Sequence, residues 1–259
     1  MTTIVIKIGG KPAESETLLH NIAAEIKHLQ DKGSCRFIFV HGGGTCVSAI
    51  QKQYGIEPVF IEGKRKTSAA EMDLVDMGLA GKVNKSLVRK FHQNGLRAVG
   101  LCGSDGSTFL SKDAVMLDND ENRTGSINHV DTSLVELIMR AGYFPVLSSV
   151  SSDSSGRGMN INADEAALAI AKALKADSLV FISDIPGILI HSSVRSKLNE
   201  AEIEKYIVEG DIQGGMIPKV RTSLAALRAG VRQIQISGYE EPGDLRLIIQ
   251  GKKGSSIVL

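Results

Sequence analysis

Two lysines sit where an ordinary folded chain has little use for them. Lys7 interrupts Thr3–Ile8, a short β-branched run that ends at Gly9-Gly10. A lysine in a strand of buried type needs a partner or a route to water. Near the end of such a strand, its ammonium can instead serve a ligand held beyond the glycines. Lys219 falls in the first turn of a helix that follows Gly214-Gly215. A cation there opposes the positive end of the helix dipole, and a bound anion would reverse that sign. Arg65, in Glu62-Gly63-Lys64-Arg65-Lys66, is either part of a solvated basic loop or a bidentate clamp for a carboxylate. Asp164 lies in the first helical turn after Asn162, a place where an acid ordinarily complements the dipole. Asp184 closes an apolar strand and opens the turn Asp184-Ile185-Pro186-Gly187, as an Asx-turn acid or as part of a ligand edge. The chemistry these residues suggest is the handling of anions.

Other chemistries find less support. His41 has no Ser or Cys nucleophile motif beside it and reads as a hydrogen-bonded turn histidine. The other five histidines are scattered without zinc-ligand spacing, so no metal site is expected. Neither the phosphate-loop pattern nor a Gly-x-Gly-x-x-Gly after a strand is present. A nicotinamide-dependent oxidoreductase therefore rests on glycines and sheet pattern alone.

These residues need rigid elements to position them, and the pattern supplies alternating strands and helices. Strands are predicted at Thr3–Ile8, Arg36–Val40, Arg97–Leu101, Phe144–Ser149, Ser178–Ser183 and Arg232–Ile236, with a last one at Ser256–Leu259. Helices are predicted at 16–32, 45–53, 132–141, 162–174, 200–209, 216–229 and 242–249. The helix at 162 carries Asn162 and Glu165 spaced as a capping box. Ser68–Gln93 reads as one long helix bent near Gly78 or Gly81. Phe109–Leu117 and Gly125–His129 read as a hairpin. Strands separated by helices imply right-handed βαβ units and an α/β fold, with a mostly parallel sheet covered on both faces. Ligands bind outside the carboxyl ends of such strands. Several strands here end in glycine-rich turns, at Gly9-Gly10, Gly42-Gly43-Gly44 and Gly100 to Gly106, where backbone N–H groups can approach an anion. The only boundary signal is the polar stretch Lys175–Asp177, which divides the chain into 1–175 and 176–259. Two lobes sharing one sheet fit this pattern as well as two domains.

The 259 residues are 42% hydrophobic and 23% charged, an ordinary globular composition. Thirty basic and 29 acidic side chains leave a formal charge of +1, giving no global field for nucleic acid or an anionic membrane. Cys35, Cys46 and Cys102 share no metal spacing and read as free thiols in a reducing compartment. No signal peptide and no membrane-length apolar run is found, so a soluble cytoplasmic protein is expected.

Taken in order, Lys7-Ile8-Gly9-Gly10, His41-Gly42-Gly43-Gly44, Gly63-Lys64-Arg65-Lys66-Thr67, Asn160-Ile161-Asn162-Ala163-Asp164, Ser183-Asp184-Ile185-Pro186-Gly187 and Gly214-Gly215-Met216-Ile217-Pro218-Lys219 resemble the amino acid kinase family from about residue 4 to the C-terminus. The Asn-x-Asn-Ala-Asp segment and the Arg65 loop are most similar to members that phosphorylate an acylated glutamate. The resemblance implies an αβα sandwich, an N-terminal lobe for the amino acid and dimerisation, and a C-terminal lobe for ATP with Mg²⁺. It implies phosphorylation of the γ-carboxylate of N-acetyl-L-glutamate in arginine biosynthesis. Lys7 and Lys219 would stabilise the migrating phosphoryl group and Asp164 would orient them. Gly43, Gly44, Arg65 and Asn160 would hold the acylated amino acid. Gly10, the stretch Asp184, Ile185, Pro186, Gly187, Ile188 and Leu189, and Asp211, Ile212 and Gln213 would border the nucleotide. Lys64 and Lys66 stand where relatives commonly have apolar residues. They make N-succinyl-L-glutamate, or another carboxylate, an alternative substrate. Lys11 reads either as a third phosphate contact or as a solvated side chain. With the first strand beginning almost at Met1, the resemblance implies a homodimer with little arginine inhibition. A nucleotide-sensing module without turnover is the alternative outside enzymes.

Overall fold

The structure is a computed structural model and describes residues 1–61, 63–113 and 121–259. From the N-terminus the chain runs through β1 (Thr2–Ile8), α1 (Lys11–Glu14), α2 (Glu16–Asp31), β2 (Cys35–His41), α3 (Gly44–Gln53), β3 (Phe60–Ile61), β4 (Lys64–Arg65) and α4 (Ala69–Asp76). A π-helical stretch, Met77–Val83, joins α4 to α5 (Asn84–Gln93). Then come β5 (Ala98–Cys102), β6 (Phe109–Asp113), β7 (Gly125–Val130), α6 (Ser133–Arg140), β8 (Phe144–Ser148), β9 (Val150–Asp153), β10 (Gly158–Asn160) and α7 (Ala163–Ala173). The rest is β11 (Ser178–Ile182), β12 (Leu189–Ile190), β13 (Ser193–Val194), β14 (Lys197–Leu198), α8 (Glu200–Glu209), α9 (Met216–Arg228), β15 (Ile234–Ser237), α10 (Asp244–Ile249) and β16 (Ser255–Ile257).

Contacts group the chain into two compact units, Met1–Ile38 with Ile170–Leu259, and Phe39–Ala169. The units do not follow a single cut near residue 175, because β1 pairs with β11. In the first unit β1 and β11 run parallel, from Ile4 opposite Ser178 to Ile8 opposite Ile182. β11 runs parallel to β15, β15 antiparallel to β16, and β16 parallel to β14. Ile4, Val5, Ile6, Leu179, Val180, Phe181 and Ile182 are fully buried, as expected of strands covered on both faces. Ser15 caps α2 by accepting from the Leu18 N–H, and Leu19, Ile22, Ala23 and Ile26 form its buried stripe.

In the second unit β8 lies between β2 and β5, and all three are parallel. Phe91 stacks edge-on against Phe39 and Phe144, with ring centroids 4.8 and 5.0 Å apart. A smaller sheet has the order β10, β9, β6, β7. Its β6–β7 pairing is the antiparallel hairpin the sequence suggests, although residues 114–117 of that expectation lie outside the described residues.

The α/β class with mostly parallel sheet is the one found. Three local expectations change in detail. Ser68–Gln93 is one continuous helical rod, and its irregularity is the π segment spanning both Gly78 and Gly81. Asn162 does cap α7, accepting from the Asp164 and Glu165 N–H groups. The Glu165 carboxylate, however, binds the Ile127 N–H and Lys64 instead of closing a capping box. The β9–β10 and β12–β13 hairpins are too short to show a period.

Candidate active site

In the 39–169 unit, β2 ends at His41 and its chain turns through Gly42 and Gly43 into α3. Gly43 is the N-cap residue, with φ near +154°, a region that disfavours any side chain. A Cβ there would lie 2.9 Å from both Leu79 and Val83 of the π segment. The first N–H groups of α3 have no intrahelical acceptor, so Gly43-Gly44 presents donors and the positive end of a ten-residue helix. This turn forms one wall of a pocket of about 170 Å³. Arg65, Lys64, Phe60, Thr124 and Asn160 contribute to the other walls.

Arg65 is only 7% exposed. Its guanidinium donates to the Gly44 carbonyl and the Ser48 hydroxyl, both at 2.8 Å, and to Gln51 Oε1. It also lies 4.7 Å from the centre of the Phe60 ring, the residue opposite it in the β3–β4 ladder. Among the described residues no carboxylate is within ion-pair reach of Arg65. The nearest compensation is indirect, since the Gln51 amide donates to Glu71 Oε1 at 2.7 Å. Burial pulls the guanidinium pKa below its ordinary value, and the Glu71 charge partly restores it. Such a cation is set up to receive an anion from outside.

Asn160 donates through Nδ2 to Thr67 Oγ1 at 2.9 Å, and Thr67 Oγ1 donates in turn to the Arg65 carbonyl. Among the described residues nothing donates to the Asn160 side-chain carbonyl, which is left for a ligand N–H. Lys64 is already engaged: its ammonium lies 3.1 Å from Glu165 and 3.2 Å from Ser126 Oγ. Asp164 stands one residue beyond the pocket-lining Ala163, in the first turn of α7.

The other predicted residues belong to the unit formed by 1–38 and 170–259. Lys7 lies directly opposite Phe181 in the parallel β1–β11 pair, so the two side chains share one face of the sheet. The Lys219 ammonium, from the first turn of α9, sits 5.4 Å from the centre of that same Phe181 ring. Two lysines 212 positions apart in sequence thus both neighbour Phe181, one as its ladder partner and one through its ammonium. The Lys7 ammonium folds back over Gly9, where a Cβ would be only 2.5 Å from Nζ. The Asp184 carboxylate covers Gly10 in the same way, with both oxygens within 2.5 Å of where a Cβ would stand. The glycine pair therefore gives these two charged groups their room.

Of the remaining nucleotide-edge candidates, Ile188 and Ile212 are buried and can serve a ligand only through backbone. Gly187 packs beneath Val194 and Ser255. Leu189 is 41% exposed and pairs with Val194, while Ile185 and Pro186 form the turn leading to it. Asp211 accepts from the His191 N–H at 3.0 Å, and Gln213 folds onto the Gly210 carbonyl.

Residues 2–237 match the amino acid kinase family. The chain belongs to this family. Among its relatives, the acetylglutamate kinase of Gloeobacter violaceus is 40% identical over 240 residues, which cover 90% of this chain and 79% of that protein. The acetylglutamate kinase of Leptospira biflexa is 36% identical over 261 residues, covering 97% of this chain and 89% of that one. The solved structure of smu.665 from Streptococcus mutans is similar at a TM-score of 0.81 and 28% identity, covering 99% and 98% of the two chains. Kinase membership agrees with the chemistry of the described groups, which offer cations and backbone donors in place of nucleophiles or a metal cage.

Three site features were not read from the sequence: the Phe60 ring under Arg65, the Glu165–Lys64 pair and the Phe181 platform. Phe60 stands opposite Arg65 only once the β3–β4 pairing is known. No local pattern marks the other two, because they are set by strand pairing and by contacts 101 and 38 positions apart in sequence.

Proposed function

We propose that this chain catalyses ATP-dependent phosphorylation of the γ-carboxylate of N-acetyl-L-glutamate, the acetylglutamate kinase step of arginine biosynthesis. The observation that carries the reading is Arg65, a buried fork-shaped cation on a pocket wall with no carboxylate of its own. It suits the α-carboxylate of the substrate, to which the guanidinium N–H groups not bonded to Gly44, Ser48 and Gln51 can donate. Asn160 suits the acylated nitrogen, and the Gly43-Gly44 end of α3 suits a second anionic oxygen.

The chemistry asks little else of the protein. A γ-carboxylate with a pKa of about 4.3 is already ionised at neutral pH and needs no general base. The obstacle is its repulsion from the triphosphate, so catalysis is positioning and charge stabilisation. Lys7 and Lys219 are assigned to the charge that develops on the migrating phosphoryl group, and Asp164 to offsetting their mutual repulsion. Gly10, the 184–189 turn and Asp211 to Gln213 are assigned to the nucleotide. In this division of labour, residues before about 175 serve the acyl-amino acid and those after it the nucleotide, with Lys7 and Gly10 of the first stretch serving the phosphates. Among the described residues no group of three or more His, Cys, Asp or Glu could hold a metal ion. Mg²⁺ enters the reading as part of the substrate, MgATP. No helix of the described residues is long and apolar enough to cross a membrane. A cytoplasmic homodimer completes the proposal, checked by fractionation and light scattering.

The Lys64–Glu165 pair bears on the acyl group. An N-succinyl substrate brings a third carboxylate, and Lys64, a cation on the pocket wall, is already paired with Glu165. The test is ADP release and hydroxylamine-trapped acyl phosphate from MgATP with N-acetyl- and N-succinyl-L-glutamate. The expected result is stoichiometric ADP and hydroxamate, with kcat/KM favouring acetyl by more than about tenfold. Succinyl preference would overturn the substrate, and nucleotide binding without ADP release would make the chain a sensing module.

A further inference from the structure

His41 is 1% exposed and lies behind the glycine turn, not in the pocket lining. Its two ring nitrogens have opposite partners. Nε2 is 3.0 Å from Asn84 Nδ2, and Nδ1 is 2.7 Å from the Gly42 carbonyl oxygen. Asn84 Nδ2 also lies 3.2 and 2.9 Å from the Leu101 and Val146 carbonyls, so its two hydrogens are shared among three acceptors, while its Oδ1 accepts from Lys85. The Asn84 amide is thereby fixed as a donor toward the imidazole. Nε2 must then be the acceptor, so the proton sits on Nδ1 and is donated to Gly42. Burial holds the imidazole pKa down to about 4, which keeps this single tautomer neutral in ordinary buffers.

The bond falls at a sensitive point. The Gly42 carbonyl belongs to the peptide that joins it to Gly43, the N-cap of α3, so its direction sets the plane of the Gly43 N–H. Glycines at 42, 43 and 44 leave the turn with no side chain to define it. Asn84 is the first residue of α5, directly after the π segment whose Leu79 and Val83 close over Gly43. Its carbonyl fills the space where Gly100 lacks a side chain.

We propose that His41, oriented by Asn84, is a positioning residue that fixes the Gly42–Gly44 amides in the geometry that receives the acyl-amino acid. The inference deepens the kinase reading and rests on it for the identity of the ligand.

The test uses two variants that each retain one half of the imidazole. His41→Asn keeps a donor near the Nδ1 position, and His41→Gln keeps an amide near the Nε2 position. KM for N-acetyl-L-glutamate should stay within about twofold in His41→Asn and rise about tenfold in His41→Gln, the size of one buried hydrogen bond left unmade. KM for ATP should not move in either. Equal KM values in the two variants, or an ATP KM rising in step, would overturn the proposal. A purely structural role would lower the melting temperature without splitting the two substrates. Amide resonances of Gly43 and Gly44 in the ligand-free protein supply a readout independent of activity. They should shift in His41→Gln and hold in His41→Asn, and equal shifts would overturn the inference. Were the unaltered protein inactive on N-acetyl-L-glutamate, the functional reading would fall and the resonances would decide this proposal alone. If neither variant folds, ¹⁵N shifts of His41 in the unaltered protein decide it: an Nε2–H tautomer contradicts the proposal and an Nδ1–H tautomer supports it.

Discussion

Arg65 carries a full charge where water barely reaches it, and the protein spends three hydrogen bonds and an aromatic ring on holding it still. That arrangement depends on the planar fork. Lysine would keep the charge but could not serve Gly44, Ser48 and Gln51 while gripping a carboxylate. Arg65→Lys should therefore raise KM for N-acetyl-L-glutamate roughly 10- to 100-fold and lower kcat by much less, as steady-state kinetics would show. A fall confined to kcat would assign Arg65 to the transition state instead. Lys7 and Lys219 stand out in the sequence because each breaks a local rule, whereas Arg65 reads equally as part of a solvated basic loop and shows its burial only in the fold. The partners of all three were not legible there: Phe60, Gln51 and Phe181 are ordinary residues that gain meaning only from pairing. Lys64 shows the converse, since a basic loop looks like free charge until Glu165 is seen to occupy it.

At the scale of elements, the glycine turns do two different jobs. Gly9 has an ordinary backbone conformation, so alanine fits the chain, but its Cβ would meet the Lys7 ammonium at 2.5 Å. Gly9→Ala should lower kcat about tenfold or more through a displaced lysine, with a melting temperature within a few degrees of the unaltered protein. Gly43 has φ near +154° and is hemmed in by Leu79 and Val83. Gly43→Ala should cost about 1–3 kcal/mol of stability, read from urea midpoints. Equal loss of stability in both variants would contradict the distinction. Element types and most bounds followed from period and punctuation, as with α8, found at Glu200–Glu209 as expected. The π segment did not, because widening a helix from i+4 to i+5 bonding leaves no mark on the apolar period.

For the whole molecule, two buried polar groups contribute to behaviour in acid. The unfolded chain takes up a proton on histidine near pH 6.5, whereas His41 in the folded chain does so at about 4. Between those values unfolding binds a proton, so stability falls as pH is lowered through that window and levels off below it. The shift corresponds to about 3 kcal/mol. Asp153 adds a second loss. Burial favours its neutral form, but bonds from Ser155 and Arg157 outweigh this and hold its pKa down to about 2. Its contribution is present above about pH 4 and is lost as pH falls toward 2. Urea unfolding from pH 7.5 to 2.5 should show both declines, and His41→Asn should flatten the upper one. The α/β class was legible at this scale because alternation of strand and helix admits few arrangements. The grouping of Met1–Ile38 with the C-terminal half was not, since it reflects the long-range pairing of β1 with β11.

The central claim is that Lys7 and Lys219, both neighbours of Phe181, carry the charge of phosphoryl transfer. It is tested most directly by the turnover number of Lys219→Ala with N-acetyl-L-glutamate and MgATP, measured as trapped hydroxamate on protein shown to be folded. The account predicts a fall of roughly 10²–10³ in kcat, with both KM values within a few-fold of the unaltered protein. A turnover number within about threefold of the unaltered protein would contradict it.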